Sequence, residues 1–378
     1  MSKFIKIRYI IVICFLILFA WWAYQAIVRY WSQPLTTDIS YKFGDQENGI
    51  EFPIITFCPY LIVTENPVLN ECYNGSSWSF ITALYDCLKN NKNFDIDSFM
   101  TNLQIDQGSL RATALFWTGV DYISLNNLEK YLWSALFHPF FGPCYSFDLS
   151  NAKEFEFIQY QGNNRPLIEF ILTESLPWKN INVILHSNDD FPDAWIMHGY
   201  LQLPSISNKM FKAFRIKMRK KVSKRESTEN VPCTQYDQET CKNIEDNKRI
   251  LNTFNCRMPI LYQGHYLDHL FSDDIPLCDN SLIEQALDLI MEERCERTRS
   301  QRCEWKEYFA SLNVEETYRE NKTLVTVLFE TPKVEYHNTY ISYDLLSLIG
   351  EVGGILGLTI GASGMTLFDL ILQYLPYY

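Results

Sequence analysis

The chain has 378 residues, room for two or three ordinary domains, and its 47% hydrophobic and 15% aromatic content excludes a disordered polymer. With 33 Lys and Arg against 45 Asp and Glu, the formal net charge of -12 excludes a nucleic-acid binder, which needs a surplus of clustered cations. A modest acidic excess suits an extracellular surface.

The first element in chain order is apolar. Residues 7 to 28 are long enough to cross roughly 30 Å of hydrocarbon as a helix. Lys3, Lys6 and Arg8 precede the run, while Trp21, Trp22, Tyr24, Tyr30 and Trp31 trail it, which places the N-terminus in the cytoplasm. A secretory signal peptide is the competing reading. The run is long for one, and Trp21 and Trp22 occupy the place where small residues should precede cleavage.

A second apolar run follows at about Leu345 to Ile371, so residues 31–340 are expected outside the cell. Within them EFPIITFC (51–58), CYSFDLS (144–150), INVILHS (181–187) and TLVTVLFE (323–330) read as β-strands. Helical periodicity appears in WSFITALYDCLKNN, which aligns Trp78, Ile81, Leu84, Tyr85 and Leu88. It recurs in SLIEQALDLIMEERCE, which aligns Leu282, Ala286, Leu289 and Ile290. KAFRIKMRKKVSK (212–224) reads as a half-buried strand with a basic outer face, the sharper alternative being an anion site. No linker separates independent domains, so a single composite ectodomain is expected. Strands near both spans should lie together, since the membrane brings both ends to one surface.

Cys14 lies in the first span and the other ten cysteines, Cys58 to Cys303, fall between the spans, which allows up to five disulfides in an oxidising compartment. No Cys/His spacing suggests zinc. Asn74-Gly-Ser and Asn321-Lys-Thr are glycosylation sequons on the expected outer side. His138, His186 and His337 suit packing or surface roles better than proton sensing, although histidine titrates in the relevant range. No phosphate loop, nucleophile elbow or Ser/His/Asp grouping appears, so no enzyme and no cofactor are expected.

Several separated blocks resemble one family, the degenerin, epithelial sodium channel and acid-sensing ion channel superfamily. They are FPIITFCPY after the first span, GPCYSFDL, NVILH followed by Pro192, FNCRMPIL and, above all, LIGEVGGILGLTIGASGMTLFD. The resemblance implies an α+β membrane protein in which two transmembrane helices flank a large disulfide-rich extracellular domain. That domain would have a central β-sheet, the palm, with helical finger (59–143) and thumb (230–305) inserts. The implied boundaries are 1–8 cytoplasmic, 9–30 first span, 31–340 ectodomain, 341–375 second span and pore, and 376–378 cytoplasmic. The implied activity is a sodium-permeable channel of the amiloride-sensitive type in the plasma membrane, a homotrimer or a heterotrimer with related subunits, opened through its ectodomain by a ligand or by protons.

By position, the resemblance assigns Gly361, Ala362 and Ser363 to the selectivity belt and Asp369 to an acid below it. Glu351 becomes the acid at the outer pore mouth, and Gly350 the small residue whose enlargement holds such channels open. It pairs Cys58 with Cys144, Cys233 with Cys303, Cys241 with Cys295 and Cys256 with Cys278, leaving Cys72 with Cys87 as the remainder. Asn230 stands where relatives carry a Trp that touches an aromatic just above the first span, and Tyr30 and Trp31 supply the aromatic half. The family's His-Gly gating element has no counterpart in the eight residues before the first span.

The pore segment also has a reading from its residues. An acid within a span costs about 2.5 to 3.5 kcal/mol at the bilayer centre, so Glu351 and Asp369 should face water or protein. Eighteen residues apart, they fall on one face of an unbroken helix and flank one aqueous path. Gly353, Gly357 and Gly361 recur every four residues, either for close helix packing or for unwinding that turns carbonyls and the Ser363 hydroxyl toward Na⁺. The alternative function is a non-conducting membrane glycoprotein that binds ligands or modulates channel partners.

Overall fold

The computed structural model describes residues 2–43, 50–59, 84–85, 87, 89, 113–117, 122–124, 133–138, 141–149, 157–158, 167–173, 181–187, 199–203, 211–234, 238–258, 275–276, 278–290, 302–317, 322–331 and 333–360. The helices are α1 (Ser2–Ser32), α2 (Gln238–Phe254), α3 (Asn280–Ile290) and α4 (Leu345–Ile360). The strands open with β1 (Leu35–Phe43), β2 (Ile50–Glu51), β3 (Ile54–Pro59), β4 (Thr113–Trp117), β5 (Tyr122–Ser124), β6 (Trp133–His138), β7 (Gly142–Phe147) and β8 (Phe157–Ile158). They continue with β9 (Leu167–Thr173), β10 (Ile181–His186), β11 (Tyr200–Leu203), β12 (Phe211–Arg225), β13 (Glu304–Thr317), β14 (Lys322–Phe329) and β15 (Lys333–Ile341).

An eight-stranded sheet runs β1-β15-β12-β14-β9-β4-β5 with β13 also on β12, and a five-stranded sheet runs β11-β10-β3-β7-β6. The expected strands are present, with two refinements. EFPIITFC is split into β2 and β3 at Phe52-Pro53, because proline lacks the N–H that a continuous ladder needs. The region expected as a helical finger carries β4, β5 and β6, and β4 joins the larger sheet by pairing with β9.

Contacts divide the chain into two compact units. One comprises Met1–Asp38, Lys224–Thr234 and Asn338–Tyr378, the other Ile39–Ser223 and Gln235–His337. The second unit holds the main core, built where inward side chains of both sheets interdigitate. Phe170 of β9 meets Phe57 of β3 and Phe147 of β7 edge-on, each with ring centroids 5.1 Å apart, the arrangement that ring quadrupoles favour. In β10 every residue is buried, so its run of apolar side chains serves two faces rather than one. Gly199 lies so close to Leu185 that a Cβ would sit 2.5 Å from the Leu185 carbonyl oxygen, and only glycine lets β11 approach β10 there.

Strand β12 settles the reading of the basic stretch. Phe214, Ile216 and Met218 are fully buried while Arg215 and Arg219 are exposed, the period-2 pattern of a half-buried strand. Arg219 pairs with Glu330 and Lys221 with Glu307, so much of that basic face is already neutralised within the chain. Lys220 falls on the core side and is accommodated by Glu51, whose Oε2 accepts from Lys220 Nζ at 2.7 Å and Lys306 Nζ at 2.8 Å. Burial favours the protonated form of Glu51, yet the two ammonium groups prevail and hold its pKa below the ordinary value.

The helix expected in SLIEQALDLIMEERCE is present with one correction of phase. In α3 the buried face is Ile283, Ala286 and Leu287, whereas Leu282 and Leu289 are half-buried, one residue away from the expected stripe. Leu84 and Cys87, described within the other expected helix, are buried.

Candidate functional site

The first unit gathers the ends of both apolar segments. Helix α1 stops because Gln33 adopts φ 46°, its N–H reaching back to the Tyr30 carbonyl at 3.1 Å, and Pro34 then forbids continuation. The loop after β12 completes that terminus. Asn230 Nδ2 donates to the Trp31 carbonyl at 2.9 Å, and the Glu229 N–H donates to Gln33 Oε1 at 3.1 Å. Where relatives are expected to make an aromatic contact above the first span, a polar one satisfies the Trp31 carbonyl instead.

Helix α4 begins at a capping acid. Asp344 Oδ1 accepts the Ser347 N–H at 2.8 Å, and the Asp344 carbonyl accepts the first helical bond, from Leu348, at 3.0 Å. Immediately before it, Ser342 gives both its N–H (2.8 Å) and its hydroxyl (2.9 Å) to the Pro34 carbonyl. Thr37 and Thr339 hydroxyls meet at 2.8 Å, and β1 neighbours β15, as the expectation for strands next to the two spans required. Tyr340 donates to Asp38, the Glu226 N–H to the Thr339 carbonyl and the Ile341 N–H to Glu226 Oε2, so strand ends and helix ends form one hydrogen-bonded collar.

Helices α1 and α4 pack together. Glu351 lies on the side of α4 next to α1, where Arg29 Nη1 approaches its Oε2 at 3.4 Å and the Tyr343 hydroxyl donates to the same oxygen. The Arg29 guanidinium also lies 5.6 Å from the centre of the Tyr343 ring. Gly350, Gly353 and Gly354 point elsewhere. A methyl group placed on any of them would meet nothing within 4 Å among the described residues, so none of the described side chains of α1 packs on Gly353. Gly361, Ala362, Ser363 and Asp369 lie outside the described residues, as do Asn74 and Asn321.

Apolar side chains cover the outside of these helices. Ile17, Trp21, Tyr24 and Trp31 of α1 are more than half exposed, and Leu346 and Leu358 of α4 are 76% and 84% exposed, far beyond what a water-soluble surface concentrates in one place. Among the described residues no helix is long and apolar enough to cross a membrane.

Disulfides join Cys58 to Cys144 and Cys256 to Cys278. Cys233 and Cys303 are each disulfide-bonded, as are Cys87 and Cys241, whereas Cys72 and Cys295 lie outside the described residues. Cys14 is free and exposed. His138 is buried against Phe141, with ring centroids 4.7 Å apart, and His337 contacts Glu335. His186 is buried in a closed chain of hydrogen bonds. Its Nδ1 faces the Ser187 carbonyl at 3.0 Å, its Nε2 faces Thr56 Oγ1 at 2.9 Å, and Thr56 Oγ1 meets Ser146 Oγ at 2.6 Å. Burial lowers its pKa to about 4 against the weaker pull of the Ser187 carbonyl and Asp148. Among the described residues no group of His, Cys, Asp and Glu is arranged to hold a metal ion.

The family model described as the amiloride-sensitive sodium channel matches residues 7–372, nearly the whole chain and both apolar segments. The chain belongs to the amiloride-sensitive sodium channel family. Membership carries the class of activity, an ion channel subunit of the degenerin and acid-sensing group rather than an enzyme, and implies a place in the plasma membrane. No curated protein matches the chain. Among solved structures a proton-activated chloride channel aligns over 98% of each chain at 8% identity with a TM-score of 0.37, a likeness too slight to bear on fold or ion.

Sequence reasoning missed what surrounds Glu351. The signal was available: Arg29 stands in the last turn of α1, directly after the apolar run, where a cation can meet an acid at the start of the second run. The family resemblance directed attention to Glu351 and Gly350 but not to Arg29 or Tyr343.

Proposed function

We propose that the chain is a subunit of a trimeric, sodium-selective cation channel of the amiloride-sensitive type, opened through its ectodomain. The family match over residues 7–372 carries this reading. Segments 9–30 and 341–375 would cross the plasma membrane with both termini cytoplasmic, and the exposed apolar flanks of α1 and α4 support that assignment. Three copies, identical or from related subunits, then bring Gly361, Ala362 and Ser363 together as a belt of hard oxygens that replaces part of the Na⁺ hydration shell. Asp369 below the belt, and Glu351 above it where its carboxylate is unpaired, would attract cations and repel anions, and a ligand or protons acting on residues 31–340 would supply the stimulus.

Expression in oocytes, alone and with related subunits, tests the proposal. Substitutions at Ser363 and Asp369 should alter Na⁺ over K⁺ permeability or conductance, and a bulky residue at Gly350, whose surroundings leave it room in its own chain, should produce standing current. Currents that match uninjected cells in every combination and under every stimulus would overturn the proposal and leave a non-conducting membrane glycoprotein.

A further inference from the structure

Glu351 is the sole carboxylate of α4 among its described residues, and it does not stand alone. Arg29 and Glu351 come from positions 322 apart in the chain. Tyr343 contacts both, donating its hydroxyl to the carboxylate and offering its ring to the guanidinium, so three mutual contacts fix the carboxylate against α1. The Arg29 side chain is 57% exposed and that of Glu351 34%, which makes the pair worth little to folding. Its effect on a passing ion is another matter. A lone carboxylate presents a net charge to its surroundings, whereas a carboxylate 3.4 Å from a guanidinium presents a dipole whose field falls off much faster.

We propose that Arg29 is a positioning residue for permeation: it holds Glu351 against α1 and cancels its charge, so that the outer mouth of the conduction path attracts cations weakly while the pair is closed. This inference rests on the channel reading. With three subunits, three paired glutamates contribute almost no net charge, and each pair that is broken exposes one carboxylate to the mouth. Tyr343 keeps Glu351 in register with Arg29, because it binds both partners at once.

Single-channel recording from the full-length protein tests the proposal with substitutions of opposite sign. At ~10 mM Na⁺, where the screening length is about 30 Å, R29Q should raise conductance about threefold and E351Q should lower it by a similar factor. The double variant R29Q/E351Q should return close to wild type, and R29K, which keeps the charge, should resemble wild type. At ~1 M Na⁺, where screening shortens to about 3 Å, all four should agree within about 1.2-fold. Equal conductances at low salt, a gain that ignores salt, or R29K behaving as R29Q would each overturn the proposal.

A second measurement needs no current. On a C14A background, which removes the free cysteine, E351C in membranes is modified with a cationic and with a neutral thiol reagent. Adding R29Q should raise the cationic-to-neutral rate ratio about threefold at low salt, and an unchanged ratio would overturn the placement of Arg29 beside residue 351. Should the ratio rise while no variant carries current in any combination, the channel reading falls and the permeation role falls with it.

Discussion

His186 shows how burial moves a titratable residue away from neutrality, to a pKa of about 4. Its imidazole is buried and neutral, with Nδ1–H donating to the Ser187 carbonyl and the Thr56 hydroxyl donating to Nε2. The folded pKa of about 4 lies below the ordinary 6.5, so between these values the unfolded chain binds more protons than the folded one. Stability therefore rises with pH across that window and is lost as pH falls through it, by ~3 kcal/mol in all. Thermal unfolding of the purified protein from pH 7 to pH 4 should show this slope in wild type and a flatter one in H186Q. Parallel slopes would mean that His186 does not titrate as its burial requires. The sequence made a packing role the better reading for His186 but gave no hint of Thr56 and Ser146, which approach from strands 130 and 40 positions away.

At the scale of elements, legibility followed periodicity. Strand β12 was readable because Phe214, Ile216 and Met218 alternate with charged residues, and the exception, Lys220, makes sense only once Glu51 is brought beside it from 169 positions away. Strands β13 and β15 were not read. In EWKEYFASLNVEET the alternation of Tyr308, Ala310, Leu312 and Val314 is flanked by charged residues, and in KVEYHNTYI the face of Val334, Tyr336 and Tyr340 is interrupted by Asn338, so both signals were present but short. Helix α3 was found with its stripe one residue out of phase, since Leu282 and Ile283 both fit a 3.6-residue repeat and only packing chooses between them. The start of α4 carries a prediction of its own. Asp344→Ala removes the cap on the Ser347 N–H and should cost about 1 kcal/mol locally. Amide exchange should then quicken in the first turn of α4 and stay unchanged in α1, whose terminus is capped separately by Asn230.

For the whole molecule, the family resemblance reached further than composition or pattern. Two apolar segments, ten cysteines between them and a β-rich middle were legible from the residues, whereas the link to one family needed blocks dispersed over most of the chain. The division into two compact units was not foreseen, because the first unit is assembled from three stretches distant in sequence that no local signal connects. Topology can be tested through the sequons. If residues 31–340 face outward, digestion with an N-glycanase should remove mass corresponding to two glycans, and N74Q and N321Q should each abolish one. A sequon introduced among residues 1–8 should stay unmodified. Resistance to the enzyme at both native sequons would reverse the assigned orientation.

The Pro34 carbonyl that receives both the N–H and the hydroxyl of Ser342 ties the exit of one helix to the entrance of the other at a single oxygen. Such a rivet leaves the two rods no way to part at their tops without first tearing two bonds. A shift of the chain at either of these two positions is therefore shared by both helix ends through one oxygen.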